Sequence, residues 1–218
     1  ARGRPPKQPD GQWRIQAENI HYYADICSAT EFGQLLWTTG VQHHAQLARE
    51  LVILGAGADW IWRLVDEHFP HAVQILDWFH ATQYLMPVAK AAFATPESQA
   101  QWVAQAKQAL WDGHLERVID ACLELIRSED STDPAFVAAR YFDQNRCRMD
   151  YPAYRQQGYQ IGSGTIESAA KQIGLLRMKV AGAIWNVTSA RLVAKARAAY
   201  LSHRWHELAA YHSLPLIT

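Results

Sequence analysis

Two short apolar runs, each followed by a segment with helical spacing, constrain the fold of this 218-residue chain more than any other feature. Residues 51–54 read Leu-Val-Ile-Leu and lead directly into a glycine, which is typical of a buried strand. Residues 72–79 form a second β-like run, and the segments 58–69 and 81–94 have apolar residues at helical spacing. Two strand–helix units in about 45 residues predict an α/β layer in which the strands lie side by side.

The region from residue 97 to residue 150 has a different character and predicts an all-helical insertion. Apolar residues between Leu115 and Ile126 fall on one helical face, and residues 99–111 form another helical segment before them. Asp133 followed by Pro134 is typical of a helix N-cap with proline at the first helical position.

Further elements are predicted on either side of these two regions. Residues 19–26 form a short β-prone run, and residues 30–48 have helical spacing with Thr30 as the N-cap. Downstream, the glycine-rich turn at 162–164 leads into a helix, and a last long helix is predicted over 188–202.

Charge is balanced over the whole chain but unevenly distributed along it. The chain has 21 Lys and Arg against 21 Asp and Glu, yet Arg155 to Arg204 holds eight basic residues and a single acid, Glu167. Between Glu97 and Asp133 the acids dominate instead. A lone carboxylate in a basic segment suits a polyanion bound beside a metal ion or an acid–base group, and an ordinary solvated face is the alternative.

The composition also predicts the cellular location of the protein. No apolar run approaches the roughly 20 residues that span a bilayer. Residues 1–20 form a polar, proline-containing basic arm that lacks the apolar core of a signal peptide, and we interpret them as an arm or a truncated start. Three widely spaced cysteines do not suggest a disulfide framework. We therefore expect a cytoplasmic protein with reduced thiols.

The turn Gly55-Ala56-Gly57 after the first apolar run looks like the opening of a nucleotide-binding loop. A dinucleotide fingerprint needs a third glycine at the position that Trp60 occupies, and the Gly-Lys-Ser/Thr ending of a P-loop is absent. An ordinary turn between strand and helix and a cofactor loop both stay open, although the pattern favours the ordinary turn.

Two groups of polar residues are candidates for chemistry. Asp77 and His80 lie three residues apart at the end of the second strand, where side chains of α/β proteins open onto a crevice. They suit a metal pair, an acid–base pair, or a helix cap followed by a satisfied histidine, and spacing alone favours the cap. Glu167 falls in the first turn of the helix after the Gly-Ser-Gly turn, where the helix dipole favours a carboxylate, and a simple helix-start glutamate is the alternative.

Together, "GAGADWIW…HFPHAVQILDWFHA" and "YFDQNRCRMDYPAYRQQGYQIGSGTIESAAKQIGLLRMK…W" resemble bacterial insertion-sequence transposases with a DDE active site, in the Mutator-like branch. The resemblance covers about Tyr22 to Trp205. It implies a ribonuclease-H-like catalytic core, a mixed sheet flanked by helices, at residues 21–96 and 151–205. The helical insertion at 97–150 interrupts this core, and its first strands, with the first catalytic aspartate, are expected upstream of residue 1.

The resemblance also implies a role for each candidate residue. Glu167 matches the third catalytic acid and would hold one of two Mg²⁺ ions, while Asp77 and His80 match a Cys/Asp-x-x-His motif that orients the site or contacts the scissile strand. Ala56 stands where the family has its second catalytic aspartate, and alanine cannot ligate a metal. Five basic residues would engage DNA phosphates: Lys171, Arg177, Lys179, Arg191 and Lys195.

The implied function is DNA transposition, that is, metal-dependent cleavage of phosphodiester bonds and strand transfer at the ends of an insertion sequence. The partners would be the element ends and the target DNA, bound by a homo-oligomer near the bacterial nucleoid and away from membranes. Because of Ala56, we expect the chain to be a catalytically dead form of this endonuclease. A catalytically inert DNA-binding derivative and a nucleotide-binding α/β enzyme that uses residues 55–57 are the alternatives.

Overall fold

The structure is a computed structural model that describes residues 19–128, 130–179 and 182–206, apart from the side chains of Thr165, Ile166 and Arg177. The basic arm predicted at residues 1–20 lies almost entirely outside the described residues. The chain forms two compact units. We call Leu35–Ser163 the central unit, and Ala1–Gln34 with Gly164–Thr218 the terminal unit.

The two predicted strand–helix units are present in the central unit. Helix α1 (Ala29–Gln42) comes first in the chain and ends inside this unit, before a 3-10 turn. The elements that follow it are β1 (Val52–Gly55), α2 (Asp59–His68), β2 (Val73–Leu76), α3 (Trp78–Gln83) and α4 (Leu85–Ala92). The strands pair in parallel, from Val52 opposite Val73 to Gly55 opposite Leu76, so the predicted side-by-side α/β arrangement is confirmed.

The two edges of this small sheet differ. On β2, the outward carbonyls of Gln74 and Leu76 accept hydrogen bonds from the hydroxyls of Tyr154 (3.4 Å) and Tyr151 (3.2 Å). On β1, the register turns the backbone groups of Val52 and Leu54 away from β2. These groups have no hydrogen-bond partner among the residues that the structure describes. The outer edge of β1 is therefore unpaired in the part of the chain that the structure describes.

The region after α4 is helical up to residue 150, as predicted, and one further helix follows that bound. It contains α5 (Pro96–Trp111), α6 (Leu115–Glu124), α7 (Pro134–Gln144), a 3-10 turn and α8 (Tyr151–Gln156). The predicted N-cap is confirmed, because an Asp133 oxygen accepts from the backbone N–H of Ala135 at 2.8 Å. These helices share one apolar core with the strands, in which Phe142 packs with Ile75 and Leu76.

The terminal unit is helical in its described part. Helix α9 (Gly164–Ala170) continues through a π-helical turn (Lys171–Leu175) into α10 (Leu176–Met178), and α11 (Val187–Leu201) follows. Alanines of α11, Ala194 and Ala198, pack against Ala169 and Ile173 in a small core. The long last helix predicted from the sequence is confirmed within one residue at each end.

Two local predictions in the terminal unit are wrong. The β-prone run at 19–26 has no regular secondary structure, because the end of α11 supplies its hydrogen bonds: Tyr22 N–H donates to Ser202 Oγ at 2.7 Å. The cap of α1 is Ser28 and not Thr30. Ser28 Oγ accepts from Glu31 N–H at 3.2 Å, while a Glu31 oxygen accepts from Ser28 N–H at 2.8 Å. This reciprocal pair is a capping box, which satisfies two backbone donors at once.

The structure also describes the state of the three cysteines and the lengths of the helices. Cys27, Cys122 and Cys147 are all free thiols, and burial raises the pKa of Cys122 to about 12. Within the described ranges, no helix combines the length and the apolar character needed to cross a membrane.

The glycine turn after β1 provides a stability test. Gly57 has a φ of +88°, and a Cβ at this position would come within 2.5 Å of the Tyr141 hydroxyl. Gly158 has a similar φ of +77° but nothing within 4 Å of its would-be Cβ. We expect Gly158→Ala to cost only backbone strain, about 1 kcal/mol, and Gly57→Ala to cost about 3 kcal/mol because overpacking is added. Urea unfolding of both variants measures the difference, and equal losses would contradict the packing role of Tyr141.

Candidate active site at the carboxyl ends of the strands

The residues that follow β1 and β2 are neighbours at one edge of the sheet. Gly55 is opposite Leu76, and Asp77 N–H still donates to the Gly55 carbonyl at 2.9 Å. Ala56 and Asp77 therefore continue adjacent parallel strands, which lie about 4.8 Å apart. Ligand sites of open α/β sheets form at this carboxyl edge.

The two glycines of the Gly-Ala-Gly turn are required for different physical reasons. Gly55 lies under the indole of Trp62, where a Cβ would approach the ring to 2.6 Å, so its role is close packing of β1 on α2. Gly57 has the positive φ that reverses the chain. The carbonyl between them, that of Ala56, accepts a hydrogen bond from the Tyr141 hydroxyl at 3.0 Å. The sequence interpretation treated both glycines as turn residues, and only Gly57 has that role.

Asp77 is the N-cap of α3, so the cap interpretation is confirmed. Its side chain is buried, and Oδ1 accepts from the backbone N–H of His80 at 2.9 Å and lies 2.9 Å from Nδ1 of the same residue. The other oxygen, Oδ2, accepts from the backbone N–H of Ser163 at 2.5 Å. One carboxylate thus connects the end of β2, the first turn of α3 and the second glycine-rich turn.

These contacts set the ionisation of the pair. Burial acts to raise the pKa of Asp77, but hydrogen bonds from Ser163 and His80 together outweigh it and lower that pKa. An ionised Asp77 beside Nδ1 favours the His80 tautomer with its proton on Nδ1, which leaves Nε2 as the acceptor nitrogen. The His80 ring is 35% exposed. The pair can therefore present an oriented imidazole that accepts a proton or a hydrogen bond.

The second glycine-rich turn reaches this edge of the sheet as well. Trp78 N–H donates to the Ile161 carbonyl at 2.8 Å, and a Cβ on Gly162 would meet the Phe79 ring at 2.9 Å. The close approach of Ser163 to Asp77 joins two motifs that are 86 residues apart in the sequence. Glu167 lies in the first turn of α9, in the terminal unit, and its side chain is exposed.

Sequence reasoning missed the tyrosines of this site. Tyr141 comes from α7 of the insertion, and its ring stacks on Tyr84 with centroids 3.9 Å apart. Burial, with smaller effects of Tyr84 and Asp77, raises the pKa of Tyr141, so its hydroxyl stays protonated and donates to the turn. The available signal was a tyrosine on an otherwise apolar helix face, since a buried hydroxyl needs a partner.

The central unit does not by itself fit a magnesium site. Mg²⁺ takes oxygen ligands in octahedral geometry, whereas Ala56 offers no side-chain oxygen. The Asp77 oxygens already face two backbone N–H groups and one ring nitrogen, out of about four lone-pair sites on a carboxylate. The donor set fits a positioning role for Asp77, and a carboxylate at residue 56 is what a metal centre here would need.

The five basic residues predicted to engage DNA fall into different environments. Lys171 and Lys179 are exposed, and the Arg177 side chain lies outside the described residues. Arg191 and Lys195 instead pair with Asp25, at 2.5 Å from Nε and 3.0 Å from Nζ. The Asp25 side chain is only 7% exposed, and the hydrogen bond from Arg191 is the largest reason that the pKa of Asp25 falls to about 2. DNA contact by these five residues stays a prediction.

We compared the chain with protein-family models, with curated proteins and with solved structures, and none of these comparisons gave a match. The family interpretation therefore rests on the quoted motifs.

The capping carboxylate gives a test with a defined pH dependence. Asp77→Asn keeps the shape but turns an NH₂ group towards a backbone donor, so we expect a loss of about 1–3 kcal/mol in the free energy of unfolding at neutral pH. Because the pKa of Asp77 is lowered on folding, its contribution is complete above the unfolded value of about 3.9 and is lost as the pH falls through the folded value.

The difference between the parent and Asp77→Asn should therefore shrink as the pH falls below about 4. Asp120→Asn, at an exposed position of α6, is the matched control and should behave like the parent at every pH. Chemical unfolding across the acidic range measures all three proteins, and a gap that stays constant down to about pH 2 would contradict the capping account.

Proposed function

We propose that this chain is the catalytic region of a DDE-type DNA transposase with a ribonuclease-H-like core. In the form described, with alanine at position 56, it binds DNA without cleaving it. The observation that carries the proposal is the adjacency of the Gly-Ala-Gly turn and Asp77 at the carboxyl ends of neighbouring parallel strands. In the resembled family these two positions hold the second catalytic aspartate and the start of the Cys/Asp-x-x-His motif.

The geometry of the turn supports this assignment. Gly57 provides the reversal, Gly55 the close packing and Tyr141 the hydrogen bond to the backbone, so the shape of the turn depends little on the side chain at position 56. The side chain at position 56 is therefore not needed for the shape of the turn and is available for a catalytic role. Two-metal cleavage needs carboxylates around ions about 3.5–4 Å apart, and residue 56 would supply one of them.

The open edge of β1 supports the ribonuclease-H-like part of the proposal. Parallel sheets are normally covered on both faces and contain more than two strands, because a free edge leaves backbone groups unpaired. Val52 and Leu54 are half-buried, yet their outward backbone groups are available for another strand. A further parallel or antiparallel strand beside β1 would give the mixed sheet that the resemblance implies.

The nucleotide-binding alternative receives less support. A phosphate loop presents several free backbone N–H groups to its ligand. Here the Tyr141 ring occupies the space beside Gly57, and the bulky Trp60 lies in the first turn of the following helix. These contacts favour a turn packed by protein over one that is open to phosphate.

Restoring a carboxylate at residue 56 tests the proposal. Ala56→Asp is expected to bind Mn²⁺ or Mg²⁺ about tenfold more tightly, or better, because it adds oxygen ligands at the edge of the sheet. In a chain extended through the upstream strand that the resemblance implies, it is expected to nick element-end DNA only when the metal is present.

Two controls separate ligation from charge. Ala56→Asn has the same size without the charge, and Ala58→Asp adds the same charge at the exposed N-cap of α2. Neither should raise metal affinity, and Glu167→Gln in the Ala56→Asp background should reduce it. Calorimetric titration gives the affinities, and conversion of supercoiled plasmid gives the nicking. Cleavage by the alanine parent equal to that of Ala56→Asp would refute the assignment.

A second test concerns DNA binding by α11. Asp25 neutralises part of the charge of Arg191 and Lys195, so Asp25→Asn should strengthen binding to duplex DNA. It should also steepen the dependence of log affinity on log salt by about one unit if one more phosphate is neutralised.

Asp120→Asn removes the same charge from the central unit and should leave the slope unchanged. Fluorescence anisotropy over a salt series measures the slopes, and the melting temperature reports any loss of folding in Asp25→Asn. An unchanged affinity and slope in a folded Asp25→Asn protein would exclude phosphate contact by these two cations.

A further inference from the structure

The terminal unit carries an aromatic pocket that none of the candidate residues discussed above occupies. Its volume is about 680 Å³. Val193, Arg197 and Tyr200 contribute from one face of α11, where residues three and four apart are neighbours. The remaining lining comes from Ala183, Trp185, Ala196 and Trp205. The pocket is thus an open one, built on a long helix and flanked by two indoles from the segments before and after it.

Its three aromatic side chains are exposed together. Trp185, Tyr200 and Trp205 are 39%, 57% and 54% exposed, which is unusual for large aromatic groups that line one pocket. Trp185 is held in place because its Nε1–H donates to the Met178 carbonyl at 3.1 Å. Tyr200 and Trp205 contact each other edge to face with centroids 6.3 Å apart. The rings therefore form a partly preorganised stacking surface.

Arg197 supplies an unused polar group in the same pocket. Its guanidinium lies 5.4 Å from the centroid of the Tyr200 ring. The Nε–H is buried and has no hydrogen-bond partner among the described residues. Its neighbours on α11, Arg191 and Lys195, are in contrast satisfied by Asp25. A buried donor without a partner is unfavourable, so an acceptor atom that reaches this side chain from a ligand would stabilise it.

We propose that this pocket binds an unpaired nucleobase of a DNA strand, stacked on Trp185, Tyr200 or Trp205, with Arg197 donating to the base or to its phosphate. Every base has a π face, so aromatic stacking accepts single strands with little sequence preference. The choice of DNA rests on the proposed function. Independently of it, the sequence from 164 to 206 has seven Lys and Arg and a single acid, Glu167, which suits a polyanion.

A proline-rich peptide is the other kind of ligand that docks on exposed aromatic rings. Such a peptide has no charge to complement the basic segment, and its carbonyl groups do not require a guanidinium. The Nε–H of Arg197, which lacks a partner within the described residues, and the charge excess therefore favour the nucleic acid, and the peptide becomes an outcome of the test.

The experiment compares three labelled DNA probes by fluorescence anisotropy at one salt concentration, without divalent metal. The probes are a ten-nucleotide oligothymidine, the same strand with abasic sites in its centre, and a duplex of equal length. The parent should bind the intact strand about 5- to 100-fold more tightly than the abasic strand, since stacking contributes about 1–3 kcal/mol per base. The abasic strand keeps its phosphates, so electrostatic binding is matched.

Variants of the lining residues test whether the preference for the intact strand arises in the pocket. Trp205→Ala, Tyr200→Ala and Arg197→Gln should each lose most of the preference for the intact strand, while their binding to the abasic strand changes much less. Trp205→Phe keeps an aromatic face and should restore the preference. Phe136→Ala removes an exposed aromatic ring from the central unit and should behave like the parent. Circular dichroism identifies any variant that fails to fold, and Trp205→Phe and Arg197→Gln then carry the test.

The possible results distinguish this proposal from the proposed function. Binding of duplex DNA with equal affinity for intact and abasic strands would overturn the pocket and leave the DNA-binding function in place. Full preference in folded Trp205→Ala and Arg197→Gln proteins would also overturn it. Absence of binding to all three probes would overturn the proposed function and the pocket together. Displacement of the oligothymidine by a decaproline peptide, with sensitivity to Trp205→Ala, would assign the pocket to peptides.

Discussion

The carboxylate of Asp77 is the contact on which the geometry of the candidate site depends. It caps α3 through the N–H of His80, fixes the imidazole through Nδ1, and receives the N–H of Ser163 from the second glycine-rich turn. A carboxylate with these three donors is far less costly to bury than a free one, which explains how an almost fully buried acid keeps a lowered pKa. Two motifs that are distant in the sequence meet because a single buried charge needs both of them.

Tyrosine hydroxyls stabilise the sheet in a similar way, by donating hydrogen bonds to its backbone carbonyls. Tyr151 and Tyr154 satisfy the outer carbonyls of β2, and Tyr141 satisfies the carbonyl of the turn after β1. All three come from the helical region that follows α4. These helices are therefore part of what stabilises the strands, since α8 covers one edge of the sheet and α7 supports the turn at the candidate site. The other edge, on β1, has no such cover among the described residues.

The sequence predicted the elements whose causes are local. An apolar run before glycine predicted β1, a second β-like run predicted β2, and the Asp133-Pro134 pair predicted the start of α7. Helical spacing in the insertion was read correctly for the same reason. Of the two wrong predictions, the cap of α1 has a local cause, the Ser28–Glu31 capping box, whereas the other has a cause that is distant in the chain. Residues 19–26 have β propensity, yet their backbone bonds to the end of α11, 180 residues further on in the case of Tyr22.

The same distinction applies to the site. The Asp77 cap and the helix start at Gly164 follow from local patterns. The links from Tyr141 to Ala56, from Ser163 to Asp77 and from Arg191 to Asp25 span 85, 86 and 166 residues, and no local pattern encodes them.

The Asp25 contact changes how the charges of α11 are interpreted, because a count of basic residues treats Arg191 and Lys195 as free charges. Their pairing leaves Arg197, which the sequence did not single out, as the α11 cation whose buried Nε–H lacks a partner in the described part of the chain. Function on this helix is therefore better judged from which charges remain unsatisfied than from how many there are, and on that criterion the aromatic pocket is the stronger candidate for contact with DNA.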